Sequence, residues 1–205
     1  MSNSVRSNSV RSSESGVQNL KKLRTTNCEL RTKYQLWPFV KLDDGQWSIP
    51  DKLLYQIYQE LVEEERDKIV FYGGGIDNFE QFLKYLKAEH NHFVFVVDAE
   101  EKKFVFIAWL NNIQARSAFC HFFALGRHTY RKEIGEIVLQ YWKSTNVPIV
   151  LIGIIPEINK TAIRLTKELG FTELGTIPCL CNIFYEDKVA GGTVLYCLFG
   201  GDENG

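Results

Sequence analysis

The residue types best suited to chemistry lie in the second half of the chain. His121 interrupts an otherwise apolar run, Ala118 to Leu125. A lone imidazole in such a run needs a hydrogen-bond partner, and its ordinary pKa suits proton abstraction at neutral pH; the bland alternative is a satisfied core histidine. Glu157, just beyond the apolar stretch Ile149 to Ile155, is a second candidate base, set against a solvated surface carboxylate. Arg127, Arg131 and Lys132 sit where a loop runs into a helical pattern, and each can reach a phosphate oxygen. A solvated basic turn accounts for them equally well. Three further groups carry less. Ile69 to Tyr72 reads as a strand running into Gly73-Gly74-Gly75, but the spacing matches neither a dinucleotide fingerprint nor a P-loop, so a flexible turn is expected. Cys179-x-Cys181 has no second clustered pair, and His90 and His92 lack a third ligand, so no metal is expected.

The elements that must position these residues follow from periodicity. Tyr34 to Leu42 is a first strand, irregular or at an edge because of Pro38, and Asp43-Asp44-Gly45 is a turn. A helix starts at Ser48-Ile-Pro50-Asp51, with Leu53, Leu54, Ile57, Tyr58, Leu61 and Val62 inward, and Glu63 to Asp67 is its solvated end. Asp77-x-x-Glu80 caps a second helix with Phe79, Phe82, Leu83 and Leu86 inward. Phe93 to Val97, Phe104 to Leu110 and Ala118 to Leu125 form a meander, and a helix from about Lys132 presents Ile134, Ile137, Val138, Tyr141 and Trp142 on one face. Ile149 to Ile155, ended by Pro156, is a strand buried on both faces. Asn159 caps the next helix, with Ile158 and Ile163 as a hydrophobic staple, and Gly170 stops it before Phe171 opens a strand. Cys179 to Tyr185 and Thr193 to Phe199 close the chain as a hairpin across Gly191-Gly192.

The run Asn159-x-x-Ala162-x-x-Leu165-x-x-x-Leu169-Gly170-Phe171, with Gly175 beyond it, resembles the C-terminal motif of the GNAT N-acetyltransferase superfamily. A fainter likeness covers Lys33 to about Phe199. Trp109-Leu110-Asn111 and His121-Phe122 are also similar to segments of phage- and prophage-type members. The resemblance implies an α/β fold with a mixed, mostly antiparallel sheet, flanking helices, and central strands that splay around acyl-CoA. It implies acyl transfer from acetyl-CoA to a small-molecule or protein amine by direct attack in a ternary complex. The rival expectation is a catalytically degenerate binding or accessory protein of that fold.

By the same resemblance, pyrophosphate is held by amides around Gly135 together with Arg127, Arg131 and Lys132. Asn159 contacts pantetheine, and a backbone N–H near Ala124 or Leu125 holds the oxyanion. His121 or Glu157 relays the proton. Two positions depart from the family pattern. Glu133 stands where a phosphate-loop glycine belongs and repels phosphate. Thr166 stands where a thiolate-protonating tyrosine is common, and a threonine hydroxyl is too weak an acid. Tyr130 and Tyr185 are substitutes with no spacing argument behind them. Trp109, Phe119, Phe122 and Phe123 can line an acceptor pocket, although aromatics on strands ordinarily pack in a core.

Composition sets the outer bounds. The chain has 205 residues, net charge −1, 45% hydrophobic and 24% charged content. One domain over residues 28–200 is expected, between tails at 1–27 and 201–205. The charge favours neither nucleic acid nor an anionic membrane as partner, and no apolar run approaches the ~20 residues that span a bilayer. Five scattered cysteines fit reduced thiols and a cytoplasmic location, and no secretory signal is expected. Ser2 to Arg6 repeats as Ser7 to Arg11, a composition that resembles a transit peptide but reads first as disorder. Acetyl-CoA is the one cosubstrate expected, and a homodimer is left open.

Overall fold

The computed structural model describes residues 33–126, 131–145, 150–183 and 186–199. The expected tails, Cys28, Arg127, Tyr130 and Tyr185 lie outside them. Strand β1 (Tyr34–Pro38) leads to helices α1 (Asp51–Glu63), α2 (Asp67–Val70) and α3 (Phe79–Leu86). Strands β2 (His92–Asp98), β3 (Lys103–Gln114) and β4 (Ser117–Ala124) follow, then α4 (Arg131–Thr145), β5 (Val150–Pro156), α5 (Lys160–Glu168), β6 (Thr172–Ile183) and β7 (Lys188–Leu198). The seven strands form one sheet in the order β1-β2-β3-β4-β5-β7-β6. Every pairing is antiparallel except β4 with β5.

Alternation along the strands divides the interior into two cores, one on each face of the sheet. Val94, Val96, Phe106, Ala108 and Cys120 pack with Ile134, Val138 and Trp142 of α4 and with Leu169 at the end of α5. On the opposite face Phe93, Phe95, Ile107 and Trp109 pack with Leu54, Ile57 and Leu61 of α1 and with Phe82 and Leu86 of α3. Leu151 and Leu195, on neighbouring central strands, are fully buried.

Local chemistry explains most boundaries. Pro50 is the N-cap of α1, where its missing N–H costs nothing. Asn159 caps α5 by accepting from the Ala162 N–H at 3.1 Å. Gly170 follows α5 in the left-handed region at φ +87°.

Five expectations change. Asn78 caps α3, accepting from the Gln81 N–H, while Gln81 Oε1 accepts from the Asp77 N–H. Val62 is 43% exposed, because it points off the inward stripe that Leu54, Ile57, Tyr58 and Leu61 form. Ile158 is 54% exposed, so no buried staple forms at α5. Residues 69–72 make no strand: Val70 and Phe71 donate back to the Arg66 and Asp67 carbonyls as a helical turn, and Phe71 packs against Phe82, Tyr85 and Trp109. Tertiary packing there overrides β-branched propensity. The closing hairpin turns after Ile183 instead of at Gly191-Gly192, which lie inside β7 against Ile177 and the following bulge. β6 is one long edge strand with register shifts at Glu173/Gly175 and Ile177/Cys181. Cys179 sits in the second shift at φ +58° and is exposed, whereas Cys181 is buried, so the pair does not face one ligand.

Replacing Leu151 by Ala leaves a void in the core beneath α4 and is expected to cost ~2–5 kcal/mol. Leu198→Ala, at a residue 56% exposed, should cost less than ~0.5 kcal/mol. Denaturant midpoints of the two variants check the contrast.

Candidate active site

Strands β4 and β5 pair only at Ser117–Val150, Ala118–Leu151 and Phe119–Ile152. Beyond Phe119 they diverge. The Leu125 N–H donates to the Val105 carbonyl on β3, and the Arg116 carbonyl accepts from Val150 on β5. Alternation therefore turns the backbone groups of Phe122 and Ala124 toward β5, past the point where β5 pairs with them. Buried backbone groups require partners. Arg66 supplies one: its Nη1 donates to the carbonyls of Ala124 and Gly126, each at 2.9 Å, while Nε pairs with Glu64 at 2.8 Å. Cys120 Sγ donates to the Ile152 carbonyl at 3.6 Å. The N–H groups of Phe122 and Ala124 are left facing the gap. Of the two expected oxyanion amides, Ala124 is thus suitably turned and Leu125 is committed to β3.

The gap opens into a cleft of about 130 Å³ that runs through the sheet. On the α5 side its wall includes Cys120, Phe122, Asn159, Ala162, Leu165 and Thr166; on the α2 side Ile69, Val70, Tyr72, Trp109, His121 and Phe123. A Cβ built on Gly153, in the same wall, would meet nothing within 4 Å. Glu133 is exposed and is no part of this wall, so it does not plug the gap.

His121 does face the cleft. Its ring stacks on Trp109 at 4.6 Å and 9°, and Nε2 lies 3.2 Å from Asn111 Oδ1. Asn111 reaches Tyr85, whose hydroxyl also accepts from Trp109 Nε1 at 3.0 Å, so the ring is held on two sides. Burial pushes the His121 pKa down to about 4. With Asn111 Oδ1 as acceptor, Nε2 carries the hydrogen and Nδ1 keeps the lone pair. Taking a proton from an alkylammonium near pKa 10 would then run uphill by about 6 units, or ~8 kcal/mol. His121 is neutral and available, but it is a weak base toward such a group.

Glu157 is held elsewhere. Its Oε1 accepts from the Gly191 N–H at 3.0 Å and its own N–H donates to the Gly191 carbonyl at 2.8 Å. A Cβ on Gly191 would come within 2.9 Å of the carboxylate, so this close clasp requires glycine. The carboxylate braces β5 against β7 and lies outside the cleft wall.

At the start of α4, Arg131 carries a buried Nε with no hydrogen-bond partner among the described residues. An orphaned cationic donor at a helix N-terminus suits an anionic ligand. Lys132 is exposed and pairs with Glu136 one turn on. Gly135 is buried, and a Cβ there would sit 2.8 Å from Leu169, so its lack of a side chain serves helix packing. Asn159 both caps α5 and borders the cleft, and Thr166 is buried yet borders it too.

Sequence reasoning missed two residues. Arg66 sits in an acidic run that reads as solvated, and no local signal marks it. Tyr72 reads as part of a strand; it is half-buried at the cleft, packs against Cys181, and burial raises its pKa to about 12. Among the described residues no three His, Cys, Asp or Glu side chains group to hold a metal ion, and no helix is long and apolar enough to cross a membrane.

No family model matches the sequence, and no curated protein matches it. Solved structures do match. A spermidine N-acetyltransferase from Vibrio cholerae, in complex with CoA and spermine, superposes with TM-score 0.62 at 16% identity, covering 82% of this chain and 96% of that one. A variant of the same enzyme gives TM-score 0.64 at 17% identity over 84% and 98%. Its dodecameric form gives TM-score 0.62 at 17% identity over 84% and 98%. The chain has the GNAT acetyltransferase fold. The divergence of β4 from β5 is the feature of that fold on which the rest of the site is built.

Two outcomes follow. Gly135→Val should cost ~1–3 kcal/mol by overpacking against Leu169, and Leu169→Ala should recover part of it in a double-mutant cycle. His121, depressed when folded, stabilises the protein above its unfolded pKa near 6.5, and that contribution is lost as pH falls toward about 4. Its NMR titration should show a neutral ring at pH 6, and His121→Phe should flatten this part of the stability–pH curve.

Proposed function

We propose that the protein transfers an acyl group from acetyl-CoA to an amine by direct attack in a ternary complex. The observation that carries the reading is the end of β4–β5 pairing at Phe119 and Ile152, which opens a slot for a slender thioester arm. The donor lies along β4, with the Phe122 and Ala124 amides as hydrogen-bond donors for pantetheine and for the oxyanion. Asn159 borders the arm from α5. The pyrophosphate lies at the N-terminus of α4, neutralised by Arg131 and Lys132. Arg127 belongs to the same loop by sequence and is assigned to the same anion. The amine enters from the α2 side and attacks the thioester carbonyl; the nitrogen gives up a proton and the thiolate takes one. The apolar wall keeps bulk water from the thioester.

Of the two candidate bases, His121 is the better placed, as a neutral acceptor once attack has made the nitrogen acidic. Glu157 is set aside from the chemistry by its bond to Gly191. The three structures of the Vibrio cholerae spermidine N-acetyltransferase, one with CoA and spermine bound, support a CoA-type donor and an amine acceptor. That one of them is dodecameric leaves self-assembly compatible with the reading. The second reading is an accessory protein that binds acyl-CoA without turnover. It is favoured by Thr166, which offers the leaving thiolate no adequate acid.

Saturating acetyl-CoA should raise the melting temperature, since a ligand at a hundred times its Kd contributes ~2.7 kcal/mol. Arg131→Glu should weaken acetyl-CoA binding at least tenfold in isothermal titration while the unliganded melting temperature changes little. Absence of any shift would remove the acyl-transfer reading. A shift without turnover over an amine panel would favour the accessory one.

A further inference from the structure

The α2 side of the cleft is where an acceptor must sit once the donor occupies the β4–β5 slot, and its lining is specific. Ile69, Val70, Tyr72, Trp109, His121 and Phe123 face it, with Ile69 58% exposed at the mouth. Among the described residues the whole cleft wall contains no Asp, Glu, Lys or Arg. Of the nearby carboxylates, Glu64 is engaged by Arg66 at 2.8 Å and Glu157 by the Gly191 N–H at 3.0 Å, and Asp67 at the start of α2 is no part of the wall. A polycation entering here would lose water from its ammonium groups and gain no counter-charge, a cost of several kcal/mol per ion. What the wall offers is apolar surface, with the His121 ring lying flat over Trp109, which Phe93 stacks against in turn, and two neutral polar groups, the Tyr72 hydroxyl and the His121 ring.

Resting on the acetyltransferase reading, we propose that the acceptor is a primary aromatic amine, an –NH2 on a flat apolar ring with no second charge. The chemistry is consistent with the lining. The lone pair of an aromatic amine is partly delocalised into its ring, so the group arrives neutral at pH 7. It therefore needs no base to remove a proton before attack, which suits a cleft whose only imidazole is held well below its usual pKa by burial. Attack forms the N–C bond and gives a tetrahedral oxyanion facing the Phe122 and Ala124 amides. The nitrogen, now positively charged and strongly acidic, passes a proton to His121 or water. Collapse breaks the C–S bond, and the same proton equivalent ends on the CoA sulfur, leaving an N-aryl acetamide and free CoA.

The test uses the full chain, acetyl-CoA, and two probe acceptors, p-toluidine and spermidine, with acetylated product measured by mass spectrometry. The expected kcat/KM for p-toluidine is at least a hundredfold above that for spermidine. Ile69→Asp, at an exposed position that tolerates charge, should lower the p-toluidine kcat/KM at least tenfold and leave the acetyl-CoA melting shift unchanged. Equal or better turnover of spermidine overturns the proposal, as does an acetyl-CoA shift with no acetylated toluidine. If acetyl-CoA produces no shift, the acetyltransferase reading falls first and this one falls with it.

Discussion

Parallel strands β4 and β5 stay paired over only three positions, and the rest of the site follows from how the resulting loose ends are managed. A sheet that parts in its middle exposes backbone donors and acceptors in an apolar interior, which is a costly arrangement unless something binds them. Part of the debt is met internally, on the acceptor side: Arg66 takes the Ala124 carbonyl and the Cys120 thiol takes that of Ile152. The N–H groups on β4 are the part that remains. The fold thereby prepares a row of hydrogen-bond donors for an extended, carbonyl-bearing guest. Cores on both faces hold the parted strands in place, so the separation is built into the packing.

The architecture is largely legible in the sequence. Element types and order in the second half follow from strong periodicity and from caps that the structure retains, Asn159 and Gly170 among them. The sequence misleads where a local pattern is outvoted from a distance. Ile69 to Tyr72 carries strand-forming residues, yet Phe71 is drawn into the aromatic cluster of α3 and β3 and the segment coils. Gly191 and Gly192 look like a turn, but they are glycines because Glu157, Leu180 and Cys181 press against the backbone of β7.

The site was legible in part, and unevenly. His121 and Asn159 stand in the cleft wall, as their residue types and spacing suggest. Gly135 reads as a phosphate-loop glycine, while its contact with Leu169 across the helix packing has no signal in the sequence. Glu157 reads as an unengaged carboxylate because the partner that holds it is a main-chain amide thirty-four residues away. Arg66 was invisible for the same reason, since its acceptors are carbonyls at the end of β4. Side-chain chemistry can be inferred from side chains; bonds to distant main-chain atoms cannot.

The sheet ends on β6, a twelve-residue strand with Leu174, Ile177 and Leu180 all exposed. Such a margin invites a stray strand to add to it. The shift in register between Ile177 and Cys181, with Pro178 lacking a donor and Cys179 twisted into the left-handed region, interrupts the margin midway. An intruding strand could match at most half of it before losing alignment. The same irregularity that leaves Cys179 outside therefore guards the protein against runaway edge-to-edge growth.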